Sequence, residues 1–204
     1  MPNHHTPALD FWQRTGEYVW CESHEERRQL LWLDYSGRID RIWSQPLRIS
    51  FGRDTRLFGH RHFPDYLTHI VDGGYILFDV KHPNRIDENA EAQFRETAKT
   101  CRRLGWHYQV LAGRNIRATR NLNCLGASRH SRCAPSEDTA ALILNAAREV
   151  LSREELCAIA SPDAPPMACA WVDNLAWHRL LEVDLKASFS SATIYKTSKL
   201  GLQS

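Results

Sequence analysis

The chain has 204 residues, 26 Lys and Arg against 24 Asp and Glu, and 43% hydrophobic residues. That is enough for one large domain, or a medium one with a small companion, and it excludes disorder and a disulfide scaffold. No apolar run approaches the ~20 residues of a membrane span, and Met1 to Leu9 lacks the basic start and apolar stretch of a secretory leader, so a cytoplasmic protein without membrane contact is expected.

A first helix is predicted from Ser23, where Ser23-x-x-Glu26 reads as a capping box, Leu30, Leu31 and Leu33 follow at helical spacing, and Gly37 ends it. An extended run follows from Ile39 to Phe51, broken at Gln45-Pro46, and a second from Leu57 to Val71. Asp72-Gly73-Gly74 supplies a hairpin turn into a strand from Tyr75 to Lys81. Phe94, Ala98 and Cys101 mark a helix from Asp87 to Leu104, closed by Gly105, and Trp106 to Leu111 reads as a short strand. The order predicts an α/β protein with a mixed sheet, antiparallel at first and parallel across the second helix.

Residues 121–135 read as a basic linker without period. Helices near 137–151, 153–160 and 167–181, then strands at 183–185 and 192–195, have the outline of a winged helix. The expected domains are therefore 1–120 and 136–204. Six scattered cysteines (Cys21, Cys101, Cys124, Cys133, Cys157 and Cys169) form no C-x-x-C pair, which points to reduced thiols rather than a zinc ribbon.

The chemistry-bearing stretch is His62-Phe63-Pro64-Asp65, the glycine turn, and Phe78-Asp79-Val80-Lys81. Pleat geometry puts Asp79 and Lys81 on one face of their strand. A two-residue turn at Asp72-Gly73 would place Asp65 opposite Val80, on the wrong face. A three-residue turn at Asp72-Gly73-Gly74 would place it opposite Lys81 and beside Asp79, so an odd-numbered loop or a bulge is expected. Glu26, in line with Leu30 and Leu33, projects toward the sheet. Together Glu26, Asp65 and Asp79 form a candidate Mg²⁺ site, with Mn²⁺ as a substitute, and Lys81 would hold the attacking water or the phosphate.

From Thr97 to Ser136 there is no Asp or Glu but eight basic residues, which leaves 18 basic against 24 acidic residues elsewhere. Arg102, Arg103, Arg114, Arg117, Arg120, Arg129 and Arg132 in this stretch are candidate contacts to DNA phosphates. Trp106, His107 and Tyr108 read as core and rim residues, and Trp171 and Trp177 as core.

These residues give the chain a resemblance to the PD-(D/E)xK restriction-endonuclease-like nucleases, and within them to the TnsA family, the endonuclease subunit of Tn7-like heteromeric transposases. It runs through Tyr18 to Arg27, Leu33-Asp34-Tyr35, Ile42 to Leu47, His62 to Tyr66, Asp79-Val80-Lys81 and Gly105 to Tyr108, and extends weakly into Asn121-Leu122 and Leu180 to Tyr195. It implies an α-β-β-β-α-β nuclease core with a winged-helix-like C-terminal domain, and active-site positions at Glu26, Asp65, Asp79 and Lys81. It also implies a bacterial enzyme that hydrolyses the non-transferred strand of double-stranded DNA at transposon ends. The implied partners are a TnsB-like DDE transposase and a TnsC-like AAA+ ATPase. The alternatives are a stand-alone restriction or repair nuclease of the same fold and a catalytically silent winged-helix DNA-binding scaffold. A zinc hydrolase using His60, His62, His69 and His82 is the weakest.

Overall fold

The structure, a computed structural model, describes residues 7–202 and divides between Gly113 and Arg114 into two compact units. The first opens with an antiparallel hairpin, β1 (Ala8–Trp12) and β2 (Glu17–Cys21), that sequence reading passed over. Its buried side holds Trp12, Val19 and Cys21. Its outer side is also apolar, with Leu9 paired to Trp20 and Phe11 to Tyr18, so no alternation of polar and apolar residues marks the strands.

Helix α1 (His24–Ser36) starts and stops where its caps require. Ser23 accepts the Glu26 N–H, and Gly37 closes the last turn at φ 62°, a conformation that costs glycine little. Strands β3 (Ile39–Ser44), β6 (Tyr66–Ile70), β7 (Tyr75–Val80) and β8 (His107–Leu111) form a sheet in the order β3-β6-β7-β8. The first three are antiparallel, while β8 runs parallel to β7 because helix α2 (Glu88–Arg103) carries the chain across between them. Leu30 and Leu33 of α1 pack with Tyr66, Phe78 and Leu111 on one face. On the other, Leu77 packs with Ala92 and Cys101 of α2 and with Ile49, Phe51 and Leu57. The latter three belong to the excursion between β3 and β6, where β4 (Ile49–Ser50) and β5 (Arg61–His62) pair as a ribbon.

The β6–β7 turn has the expected odd length, displaced by one residue. Pairing of His69 with Tyr75, and the Ile70 N–H donating to the Gly74 carbonyl at 3.1 Å, leave Val71-Asp72-Gly73 as the loop. Register follows from this. Tyr66 pairs with Phe78, so Asp65, the next residue outward, falls level with Asp79 and not with Lys81.

The second unit contains α3 (Ile116–Gly126), α4 (Glu137–Ala146), β9 (Leu151–Ser152), α5 (Arg153–Ala160), α6 (Pro165–Trp177), β10 (Leu181–Val183) and β11 (Ile194–Thr197). Its sheet has the order β10-β11-β9. The expected linker 121–135 is corrected here. Residues 116–126 are helical, and Ala118, Leu122 and Leu125 are buried at the i, i+4, i+7 spacing of an apolar stripe. The interleaved Arg117, Arg120, Asn121 and Asn123 hide that stripe in the sequence, and the helix moves the unit boundary back from residue 120 to Gly113. The expected capping box of α5 is present at Ser152 and Glu155. Cys157 and Cys169 lie with their sulfurs 3.0 Å apart, and all six cysteines are free thiols. Among the described residues no helix is long and apolar enough to cross a membrane.

Candidate active site

The sequence motif Pro64-Asp65 has a structural reason at the end of the β6–β7 ladder. Asp65 follows Pro64, which has no N–H to donate to a neighbouring strand. The Asp65 side chain supplies an acceptor there: Oδ2 accepts the Val80 N–H at 2.6 Å, while the Asp65 N–H donates to the Phe78 carbonyl at 3.0 Å. Its own carbonyl accepts from Gln45 at 2.9 Å, so the left-handed Gln45, at φ 44°, anchors the departure of the chain from β3 to the same point. Burial pushes the Asp65 carboxyl up to about 7; the Val80 N–H works against the shift, and the charges of Glu26, Asp79 and Glu22 add to it. Asp65 thus sits within electrostatic reach of carboxylates from α1 and from β7.

Asp79 is 3% exposed. A carboxylate so buried needs donors, and two reach the same oxygen: His62 Nε2 lies 2.9 Å and the Tyr108 hydroxyl 2.5 Å from Oδ2. Burial, the Asp79 charge and this hydrogen bond all hold the Tyr108 phenol far above its ordinary range, so it stays a donor. On the far side of the imidazole, Gln93 Nε2 of α2 stands 2.9 Å from His62 Nδ1.

Glu26 is nearly as buried, at 9% exposure. Both its oxygens are held by its own helix start: Oε1 accepts the Ser23 hydroxyl at 2.7 Å and Oε2 the Glu22 N–H at 2.8 Å. Lys81 ends the parallel ladder through its N–H to the Leu111 carbonyl at 3.0 Å. Its side chain is half-buried and makes no hydrogen bond or ion pair among the described residues.

Three of the four expected residues, Glu26, Asp65 and Asp79, are therefore brought into one electrostatic neighbourhood, with Lys81 two residues beyond Asp79. They are not a closed cage: among the described residues no group of three His, Cys, Asp or Glu surrounds one point. Each carboxylate is engaged by donors of the protein. Asp65 and Asp79 each keep one oxygen, Oδ1, that accepts from no donor among the described residues. Two carboxylate oxygens completed by water and substrate phosphate are the hard-oxygen set that Mg²⁺ prefers, so the donor chemistry fits that ion.

Of the four histidines of the zinc alternative, His60 is exposed and the other three have separate tasks. His62 bonds Asp79, His69 pairs with Asp40 and packs edge-on against Tyr75, and His82 accepts the Asn84 N–H to cap a short turn. Among the candidate arginines, Arg102 and Arg103 are exposed in the last turn of α2, and Arg117 and Arg120 lie exposed one turn apart on α3. Arg114 and Arg132 are exposed as well. Arg129 departs from the expected surface role: half-buried, it lies over the Trp177 ring at 5.7 Å and donates to the Gly126 carbonyl.

No known protein family matches the chain. No curated protein is measurably similar to it either.

Sequence reading missed the donors of Asp79. Tyr108 shares a face with Asp79 only once the crossover has placed β8 parallel to β7, and Gln93 reaches His62 only through the packing of α2. His62 alone carried a signal, standing three residues before Asp65 in the stretch that bears the family resemblance.

Proposed function

We propose that the chain is a Mg²⁺-dependent DNA endonuclease of the TnsA kind, within the PD-(D/E)xK superfamily, that hydrolyses the non-transferred strand at transposon ends. The observation that carries this reading is the placement of Asp65 level with Asp79, at the end of a strand that continues into Lys81. The α1, β3, β6, β7, α2, β8 order, antiparallel and then parallel, supports a restriction-endonuclease-like core. The order α4, β9, α5, α6, β10, β11 with its three-stranded sheet supports a winged-helix-like second unit.

In this reading the free oxygens of Asp65 and Asp79 face the scissile phosphate. Asp65 and Asp79 would hold a divalent ion there, which when bound would supply a lowered pKa for a water and screening of charge on the phosphate oxygens. The unpaired ammonium of Lys81 holds the attacking water or the phosphate by charge-assisted hydrogen bonds. Glu26 supports the site from α1 through its charge, without acting as a ligand while its cap is closed.

Exposed Arg117 and Arg120 suit phosphate tracking. Helix α6 does not: it carries no Lys or Arg, and residues 172–177 are buried. That favours a protein partner for the second unit, a TnsB-like transposase or a TnsC-like ATPase, over groove reading by this helix.

The test is cleavage of duplex DNA bearing transposon ends, in Mg²⁺, with and without a DDE transposase. Asp65→Ala and Lys81→Ala are expected to lose cleavage while still binding DNA. Undiminished cutting by Asp65→Ala overturns the assignment, and vigorous cutting by the wild type alone favours a stand-alone nuclease.

A further inference from the structure

We propose that Gln93, His62 and Tyr108 form a positioning clamp that engages Oδ2 of Asp79 and leaves Oδ1 as the oxygen offered to a divalent cation. The inference rests on the reading of Asp79 as a metal ligand and adds what orients it.

The hydrogen-bond inventory fixes the direction of the chain of donors. A side-chain amide nitrogen only donates, so Gln93 Nε2, 2.9 Å from His62 Nδ1, makes Nδ1 an acceptor. In the neutral imidazole the proton then resides on Nε2, where it points at Asp79 Oδ2 over 2.9 Å. Tyr108 delivers a second donor to the same atom at 2.5 Å. With two donors on one oxygen, the carboxylate cannot rotate to exchange its oxygens without breaking both bonds in a site 3% exposed.

The three donors come from three different elements: His62 from β5, Gln93 from α2 and Tyr108 from β8. Their convergence ties the orientation of Asp79 to the packing of the whole α2 side of the sheet. Outer donors of this kind fix ligand orientation at metal sites, and their removal typically lowers metal affinity 10- to 100-fold.

The experiment is a calorimetric titration of the full chain with Mn²⁺, alongside melting in chelator. Tyr108→Phe and His62→Leu are expected to weaken Mn²⁺ binding by about 10- to 100-fold. His62→Gln, which can offer an N–H to the same oxygen, is expected to recover most of that loss, a rescue that a purely packing role would not give. Asp79→Ala separates the two levels of inference. If it binds Mn²⁺ like the wild type, Asp79 is not a ligand and the underlying reading fails. If it loses binding while Tyr108→Phe and Gln93→Leu bind normally, the ligand stands and the clamp is wrong. Both of the latter side chains are half-buried at an edge of the core, so their variants remain readable should His62→Leu fail to fold. Long-range nitrogen–proton spectra of metal-free protein give an independent check: the Nε2–H tautomer of His62 is expected, and the Nδ1–H tautomer overturns the clamp.

Discussion

Asp65 reaches across the ladder to accept the N–H of Val80 through Oδ2 at 2.6 Å. A side-chain oxygen thereby takes up a strand N–H at the end of the ladder, and the same bond holds a part-buried carboxylate near the acidic groups of α1 and β7. Burial there raises the proton affinity of the carboxyl, against the opposing pull of the Val80 N–H.

That affinity sets a pH dependence of stability for the metal-free protein. The folded carboxyl titrates at about 7, against an ordinary value of 3.8. Between those two values the unfolded chain releases the proton while the native chain retains it, so stability is full below about 4, falls as pH rises, and levels off above about 7. Asp65→Asn, which keeps an acceptor for Val80 but has no proton to lose, is expected to match the wild type near pH 4. At pH 8 it should exceed it by about 2 kcal/mol, part of the full shift because the group is not wholly buried. Denaturant melts at both pH values decide this, and equal slopes for the two proteins would refute it.

Divalent cations compete with that proton. If Asp65 is a ligand, the gain in melting temperature on adding Mg²⁺ is expected to grow from pH 6 to pH 8 and to disappear in Asp65→Asn. A gain independent of pH would place any Mg²⁺ elsewhere.

Phosphate tracking by α3, as proposed, would have a salt signature. Replacing Arg117 and Arg120 by Ala is expected to weaken binding to unrelated duplexes alike. It should also reduce the slope of log affinity against log salt by about 0.9 per lost phosphate contact. An unchanged slope, measured by fluorescence anisotropy, makes this a solvated face.

In the second unit, Arg153 grips Asp173 with two bonds, Nε to Oδ1 at 3.0 Å and a terminal nitrogen to Oδ2 at 2.6 Å, and the Tyr195 hydroxyl donates to Oδ1 at 3.1 Å. Asp173→Ala leaves a half-buried guanidinium without its buried partner, so a loss of about 2–4 kcal/mol is expected. Tyr195→Phe removes one hydrogen bond and should cost about 1 kcal/mol. Hydrogen exchange in peptides of 150–200 reports both, and equal effects would mean that the three groups do not act as a network.

Local signals in the chain carried the framework of the first unit. The Ser23 cap and Gly37 bounded α1, Asp87 and Gly105 bounded α2, and the apolar run at 75–80 marked β7, because caps, turns and periodicity are satisfied by neighbours in sequence. The pattern failed where both faces of an element are alike in polarity, as in the apolar hairpin β1–β2, or where arginines mask a buried stripe, as in α3.

Which side chains could do chemistry, and roughly along which strand, was therefore written in residues 62–81. Their relations to one another were not. The one-residue displacement of the turn set Asp65 level with Asp79. The cap held Glu26 back, and packing of α2 and β8 brought Gln93, His62 and Tyr108 onto a single carboxylate. Those contacts span up to 31 residues of chain, and no local preference encodes a hydrogen bond whose partners meet only after the sheet has closed.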